Sequence, residues 1–183
     1  MSCPRRHVLV GAGTLATAAT VGLAGCLEDD ETTTEESAEP IALDDGATCD
    51  ACGMVIADHH GPAGQLLYAD EDEGPAAFDS LRELVAVHEE REVRGDEHRA
   101  AFATDYSSVD YRLEEREGTQ YISTHAEVSA FADATELVYV VDSAVEGAMG
   151  EEFLPFSDRE EASAFADEHG GAVSSWEELG ALE

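Results

Sequence analysis

The sequence predicts an α+β protein made of two ββαβ units packed together and preceded by a disordered acidic tether. Three observations predict it. The order strand, strand, helix, strand occurs twice along the chain. The helix of each unit is headed by a Ser-x-x-Glu capping box, Ser80 with Glu83 and Ser157 with Glu160. Ahead of both units, residues 27–40 carry almost no apolar side chain.

In the first unit, residues 41–105, Met54-Val55-Ile56-Ala57 reads as a short strand and Gly64 to Ala69 as a second. His59-His60-Gly61-Pro62 supplies the turn between them. A helix follows from about Ser80 to Glu90, with Leu81, Leu84, Val85 and His88 recurring on one face. Arg99 to Thr104 closes the unit as a strand. In the second unit, residues 106–183, Val109 to Thr124 holds a hairpin around Glu117-Gly118, and 125–135 reads as a short loop or helix. Glu136 to Val141 is the clearest strand of the chain, and Glu152 to Phe156 is a shorter one. The second helix runs through Ala162, Phe165 and Ala166 and ends at Gly170-Gly171, the left-handed cap position. Ala172 to Ser174 returns as a strand, and Trp176 to Leu182 forms a terminal helix.

The charge is the most unusual property of the chain. Forty-two Asp and Glu face nine basic residues, all of them Arg, giving a net charge of −33. The acids are spread between apolar positions such as Leu66, Phe78, Val138 and Phe153, as in a folded protein with a carboxylate-coated surface. In molar salt the Debye length is only about 3 Å, so self-repulsion is screened while the coat keeps the protein soluble. This is the composition of an extreme halophile's protein. It also argues against nucleic acid as a partner, because no basic patch exists to neutralise phosphates.

Residues 1–25 read as an export signal. Arg5-Arg6 is followed by a weakly apolar run from Val8 to Ala24, about 17 residues diluted by Gly and Thr, which is short for a membrane span. The paired arginines point to the twin-arginine route. Leu23-Ala24-Gly25-Cys26 resembles a lipobox, so Cys26 is expected to carry lipid and to hold the protein on the extracytoplasmic face of the membrane. The acidic stretch to residue 40 then serves as a self-repelling, extended tether. Cys3 leaves with the signal, and only Cys49 and Cys52 remain for chemistry.

The motif with most information is Cys49-Asp50-Ala51-Cys52-Gly53-Met54. Three chemistries use such a turn. A closed zinc site needs four ligands and usually a second Cys pair, which is missing, although His59 and His60 lie nearby. A thiol–disulfide site normally opens a helix, whereas the residues after Gly53 read as a strand. A soft-metal site for Cu(I) takes thiolate and thioether, and Cys52 and Met54 supply one of each, on the same side of the expected strand. Beyond the initiator, the remaining methionine is Met149, in the glycine-flanked loop Gly147-Ala148-Met149-Gly150, a poor core position and a better ligand position. His88, His98, His125 and His169 show no metal-like spacing, and paired carboxylates such as Glu160-Glu161 are most simply halophilic solvation. No catalytic triad, phosphate loop or nucleotide motif is present, so an enzyme is not expected.

Cys52-Gly53-Met54-Val55-Ile56, Tyr139-Val140-Val141-Asp142-Ser143, Gly147-Ala148-Met149-Gly150, Phe153 to Asp158 and Glu168-His169-Gly170-Gly171 together resemble the NosL family. The resemblance spans about Cys49 to Trp176. It implies a pair of ββαβ units related to the fold of organomercurial lyase. It also implies a Cu(I)-binding lipoprotein metallochaperone that supplies copper for assembly of nitrous oxide reductase or another copper-accepting protein. The family's Cys-x-Met element falls on Cys52 and Met54, with Met149 as a further ligand. Cys49 stands as a ligand, an oxidisable partner of Cys52, or part of the turn. The alternative from a different class is an extracytoplasmic thiol–disulfide oxidoreductase acting through Cys49 and Cys52.

Overall fold

The structure, a computed structural model, describes residues 38–43, 46–69 and 74–182; the expected signal, Cys26 and the tether up to residue 37 lie outside them. The first sheet is built from Gly64–Tyr68 (β1), Ala76–Phe78 (β2) and His98–Thr104 (β3), with helix Leu81–Arg94 (α1) between β2 and β3. This is the ββαβ order, with β1 and β3 where the sequence suggests them and Ala76–Phe78 in place of the expected strand at Met54 to Ala57. Met54 to Ala57 is not a strand: Val55 makes an isolated bridge to Thr48, and Ile56–Asp58 is a single 3-10 turn. The chain from Thr48 to Val55 closes on itself as a turn. Capping by Ser80, which accepts the Glu83 N–H, starts α1, and Gly95 in the left-handed region ends it. Its buried residues are the expected Leu81, Leu84, Val85 and His88.

Leu113–Arg116 (β4) and Thr119–Ile122 (β5) form the expected hairpin about Glu117 and Gly118. The stretch 125–135, expected as loop or helix, holds the 3-10 turn Val128–Ala130 and also Phe131–Asp133 (β6), which pairs with β3 and completes a sheet of order β2-β1-β3-β6. Val138–Val141 (β7) is the centre of a second sheet, flanked by Leu154–Phe156 (β10) and Ala172–Ser175 (β11), with helix Arg159–His169 (α2) joining those two. Between β7 and β10, Val145–Gly147 (β8) and Gly150–Glu151 (β9) form a small hairpin, and β8 runs parallel to β5. Trp176–Leu179 (α3) ends in a 3-10 turn, Gly180–Leu182.

The cap of α2 differs from expectation by one residue. Asp158, not Ser157, occupies it, because one carboxylate accepts from both Glu160 N–H and Glu161 N–H. The Ser157 N–H goes to Asp105.

Strand β7 feeds two cores through its period of two. Tyr139 and Val141 join Leu66, Phe78, Leu81, Leu84 and Phe153 beneath the first sheet. Val140 joins Tyr106, Ile122, Val145, Leu154, Phe156 and Phe165 on the other side. A strand buried on both faces reads as a continuous apolar run, which is how Val138-Tyr139-Val140-Val141 reads.

Among the described residues, no helix is long and apolar enough to cross a membrane.

Candidate metal centre

The turn Cys49 to Met54 is fixed by its own backbone. Gly53 N–H donates to the Cys49 carbonyl and Cys49 N–H to the Met54 carbonyl, both at 2.8 Å. Asp50 ties the turn to β2: its N–H donates to the Ala77 carbonyl at 2.8 Å, and its carboxylate accepts from Ala77 N–H at 2.6 Å. Both cysteines are thereby held over the junction of β2 and α1, where Asp79 and Glu83 lie.

The contacts follow from that placement. Cys49 Sγ donates to Glu83 Oε2 at 3.4 Å, and Cys52 Sγ lies 3.6 Å from each oxygen of Asp79. One ligand atom from each of the four residues lies within 4.8 Å of every other. Neither cysteine is in a disulfide; Cys49 is buried and Cys52 exposed. Burial pushes the Cys49 thiol up to about 12 and the Asp79 carboxylate adds to the rise, against backbone N–H groups of Asp79, Cys52 and Ala51. Cys49 is therefore a neutral thiol near neutral pH, and an incoming cation has to displace its proton.

This asymmetry is testable in the reduced protein. At pH 8, iodoacetamide should modify Cys52 at least about tenfold faster than Cys49, as read by peptide mass spectrometry, because only Cys52 is exposed and Cys49 holds its proton. Equal rates would show that the turn opens freely.

Two structural facts extend the sequence reading. Asp79 and Glu83 were not expected at the site. The capping box at Ser80 and Glu83 was legible, but nothing local says that the Glu83 side chain turns to a cysteine 34 positions away. The relation of Cys52 to Met54 is also set differently: a tight turn, not the pleat of a strand, connects them, so the same-side argument does not apply. Met54 itself is half-buried. Met149 sits in the two-residue turn between β8 and β9 and is 54% exposed.

With this geometry in view, the family model for NosL matches residues 40–181. The chain belongs to the NosL family. It is 33% identical over 171 residues to the copper-binding lipoprotein NosL of Stutzerimonas stutzeri, covering 93% of this chain and 80% of that protein. The crystal structure of the copper chaperone NosL from Shewanella denitrificans superposes with a TM-score of 0.63 at 27% identity, covering 79% of this chain and 98% of that one. The α+β architecture expected from the sequence is therefore that of a NosL protein.

Within this NosL fold the side chains of His60, His88, His125 and His169 make contacts away from the cysteine turn. His60 contacts Glu114 at 3.4 Å and the edge of the Tyr121 ring, and the His59 carbonyl accepts the Thr124 hydroxyl. His88 shares a hydrogen bond of 3.1 Å with the Tyr68 hydroxyl and meets the His98 ring edge to face. His125 reaches Ser123, and His169 packs on Phe165.

Proposed function

We propose that this chain is a copper carrier: a Cu(I)-binding lipoprotein, held by Cys26 on the extracytoplasmic face of the membrane, that passes its ion to nitrous oxide reductase or another copper-accepting protein. Cys52 and Cys49 are the thiolate ligands, and Met54 and Met149 the thioether ligands. The ion is cargo, and no catalytic step is assigned to the protein. The observation that carries the reading is the pair of reduced cysteines, with ligand atoms within 4.8 Å, on a surface turn beside two carboxylates. Thiolates select a soft ion, and the neighbouring carboxylates lower the energy of any cation there. The names borne by the relatives from Stutzerimonas stutzeri and Shewanella denitrificans support the same reading.

Release is the second half of a carrier's work. Cys52 is exposed, so a recipient's ligand can replace it first, before the buried Cys49. The Arg5-Arg6 signal and the acidic tether fit delivery of a folded protein held off the membrane surface. The oxidoreductase alternative is disfavoured by the same carboxylates. An attacking thiolate is favoured beside positive charge, whereas burial and the Asp79 carboxylate hold Cys49 in its thiol form.

The test is an anaerobic Cu(I) titration of the mature lipoprotein in detergent and molar salt, against a competing Cu(I) chelator. One Cu(I) per chain, held against the chelator, is expected. Loss of all copper to the chelator would end the carrier reading.

A further inference from the structure

Glu152 is a carboxylate buried in the middle of the molecule, and no feature of the carrier reading yet uses it. It is 2% exposed. Its Oε1 accepts N–H groups of Leu81 at 3.1 Å, Arg82 at 3.2 Å and Phe153 at 2.9 Å, so it covers the N-terminus of α1 from the second half of the chain. The Arg82 guanidinium lies over the Phe153 ring at 4.9 Å and fastens the same junction. Its Oε2 is buried without a hydrogen-bond partner.

Both sides of this joint matter. On one side, Asp79, the cap Ser80 and Glu83 in the first turn bracket the start of α1, and Asp79 and Glu83 are the carboxylates that meet Cys52 and Cys49. On the other side, Glu152 directly follows β9 and lies under the β8–β9 hairpin whose turn holds Met149. The layers are close. A Cβ on Gly147 would come within 3.1 Å of Glu152 Oε2, and a Cβ on Gly61 would come within 2.8 Å of Gly147 Cα. Gly61, in the left-handed region at φ +105°, belongs to the segment that leads out of the cysteine turn. A helix end, a carboxylate and two glycine backbones therefore stack with no room for an added methyl group.

We infer that Glu152 is a positioning residue which joins the methionine arm to the cysteine turn, so that thioether and thiolates are presented to one ion. This rests on the carrier reading and deepens it. A group that only holds the fold together would change stability and leave the contribution of Met149 to affinity intact. A group that places Met149 would erase that contribution. The two roles are separated by a double-mutant cycle.

Cu(I) affinity would be measured by chelator competition for the wild type, Met149→Leu, Glu152→Ala and the double variant, with thermal unfolding followed in parallel. Met149→Leu and Glu152→Ala should each weaken binding by about tenfold, the scale on which outer-shell partners act, and the double variant should be no weaker than either within about twofold. Glu152→Gln, which keeps the Oε1 acceptor, should restore most of the affinity. Glu152→Asp, which draws the carboxylate back by one methylene, carries the same test if the alanine variant does not fold. A double variant weakened by the product of the single effects would overturn the inference, as would Glu152→Ala binding copper like the wild type. An unchanged affinity in Met149→Leu removes this inference too, but leaves the cysteine half of the carrier reading to be judged by Cys52→Ser.

Discussion

Cys52→Ser should lower the Cu(I) affinity of the mature lipoprotein by more than about 100-fold, since losing an anionic thiolate ligand, unlike a neutral and weaker thioether, exceeds the 10- to 100-fold cost of disturbing an outer-shell partner. The hydroxyl is a hard donor that keeps its proton near neutral pH, so it replaces neither the charge nor the softness of the thiolate. The change should be nearly silent for stability. Cys52 is exposed, and its contacts at 3.6 Å to Asp79 are long and solvent-facing. Chelator competition together with thermal unfolding measures both quantities. Wild-type affinity in this variant would sink the sulfur site, whatever the unfolding curve shows.

Gly171→Ala should destabilise the fold by about 4 kcal/mol or more, a large part of the 5–15 kcal/mol that holds a typical domain together. Two costs add. Gly171 sits at φ +99°, where an L side chain costs about 1–3 kcal/mol. Its added Cβ would also lie 2.3 Å from the Val141 carbonyl oxygen and 3.0 Å from Ser143 N, both backbone atoms that no rotamer change can move. Either β11 would separate from β7 or the strand would bend. Gly170→Ala is the control: it shares a positive φ of 79° but meets nothing within 4 Å, so only the backbone cost applies. Denaturant unfolding of both variants in molar salt checks the ranking, and equal losses would refute the collision as the cause.

The buried carboxylate of Glu152 also makes stability depend on pH. Burial raises it from 4.5 to about 7, against the N–H groups of Phe153, Arg82 and Leu81 and the Ser80 hydroxyl, which favour its ionised form. Because the folded value lies above the unfolded one, the folded state binds more protons between the two. Its contribution is fully present below about pH 4.5 and is lost as pH rises through 7, a fall of about 3 kcal/mol. Surface carboxylates titrate in the same window, so the measurement is the wild type minus Glu152→Gln in molar salt. That difference should slope between pH 4.5 and 7 and be flat above it.

How much of this was legible depends on the range of each interaction. The start and buried face of helix α1 could be read, because the Ser80 cap and Leu81, Leu84, Val85 and His88 at helical spacing act within a few positions of one another, although the helix runs on to Arg94 and closes at Gly95, beyond the expected Glu90. The β4–β5 hairpin could be read for the same reason. Met54 to Ala57 failed as a strand although Val55 and Ile56 are β-formers: its pairing is limited to the single bridge from Val55 to Thr48, and Gly53 turns the backbone before it. Strand β6 was missed because its three residues acquire extended structure only by pairing with β3.

The sequence by itself determined the chemistry available to this NosL-family chain. It supplies two cysteines in one turn, two methionines beyond the initiator, an excess of acids without lysine, and the Arg5-Arg6 and Leu23-Ala24-Gly25-Cys26 segments. Those are properties of residue type and short spacing, which do not depend on how distant segments meet. Only the tertiary structure decided that Asp79 and Glu83 face the sulfurs, that Cys49 is buried and Cys52 exposed, and that Glu152 closes the N-terminus of α1 from 70 positions away. These depend on packing between strands and a helix end far apart in the chain, where burial and long-range hydrogen bonds, not local propensity, fix where each side chain points.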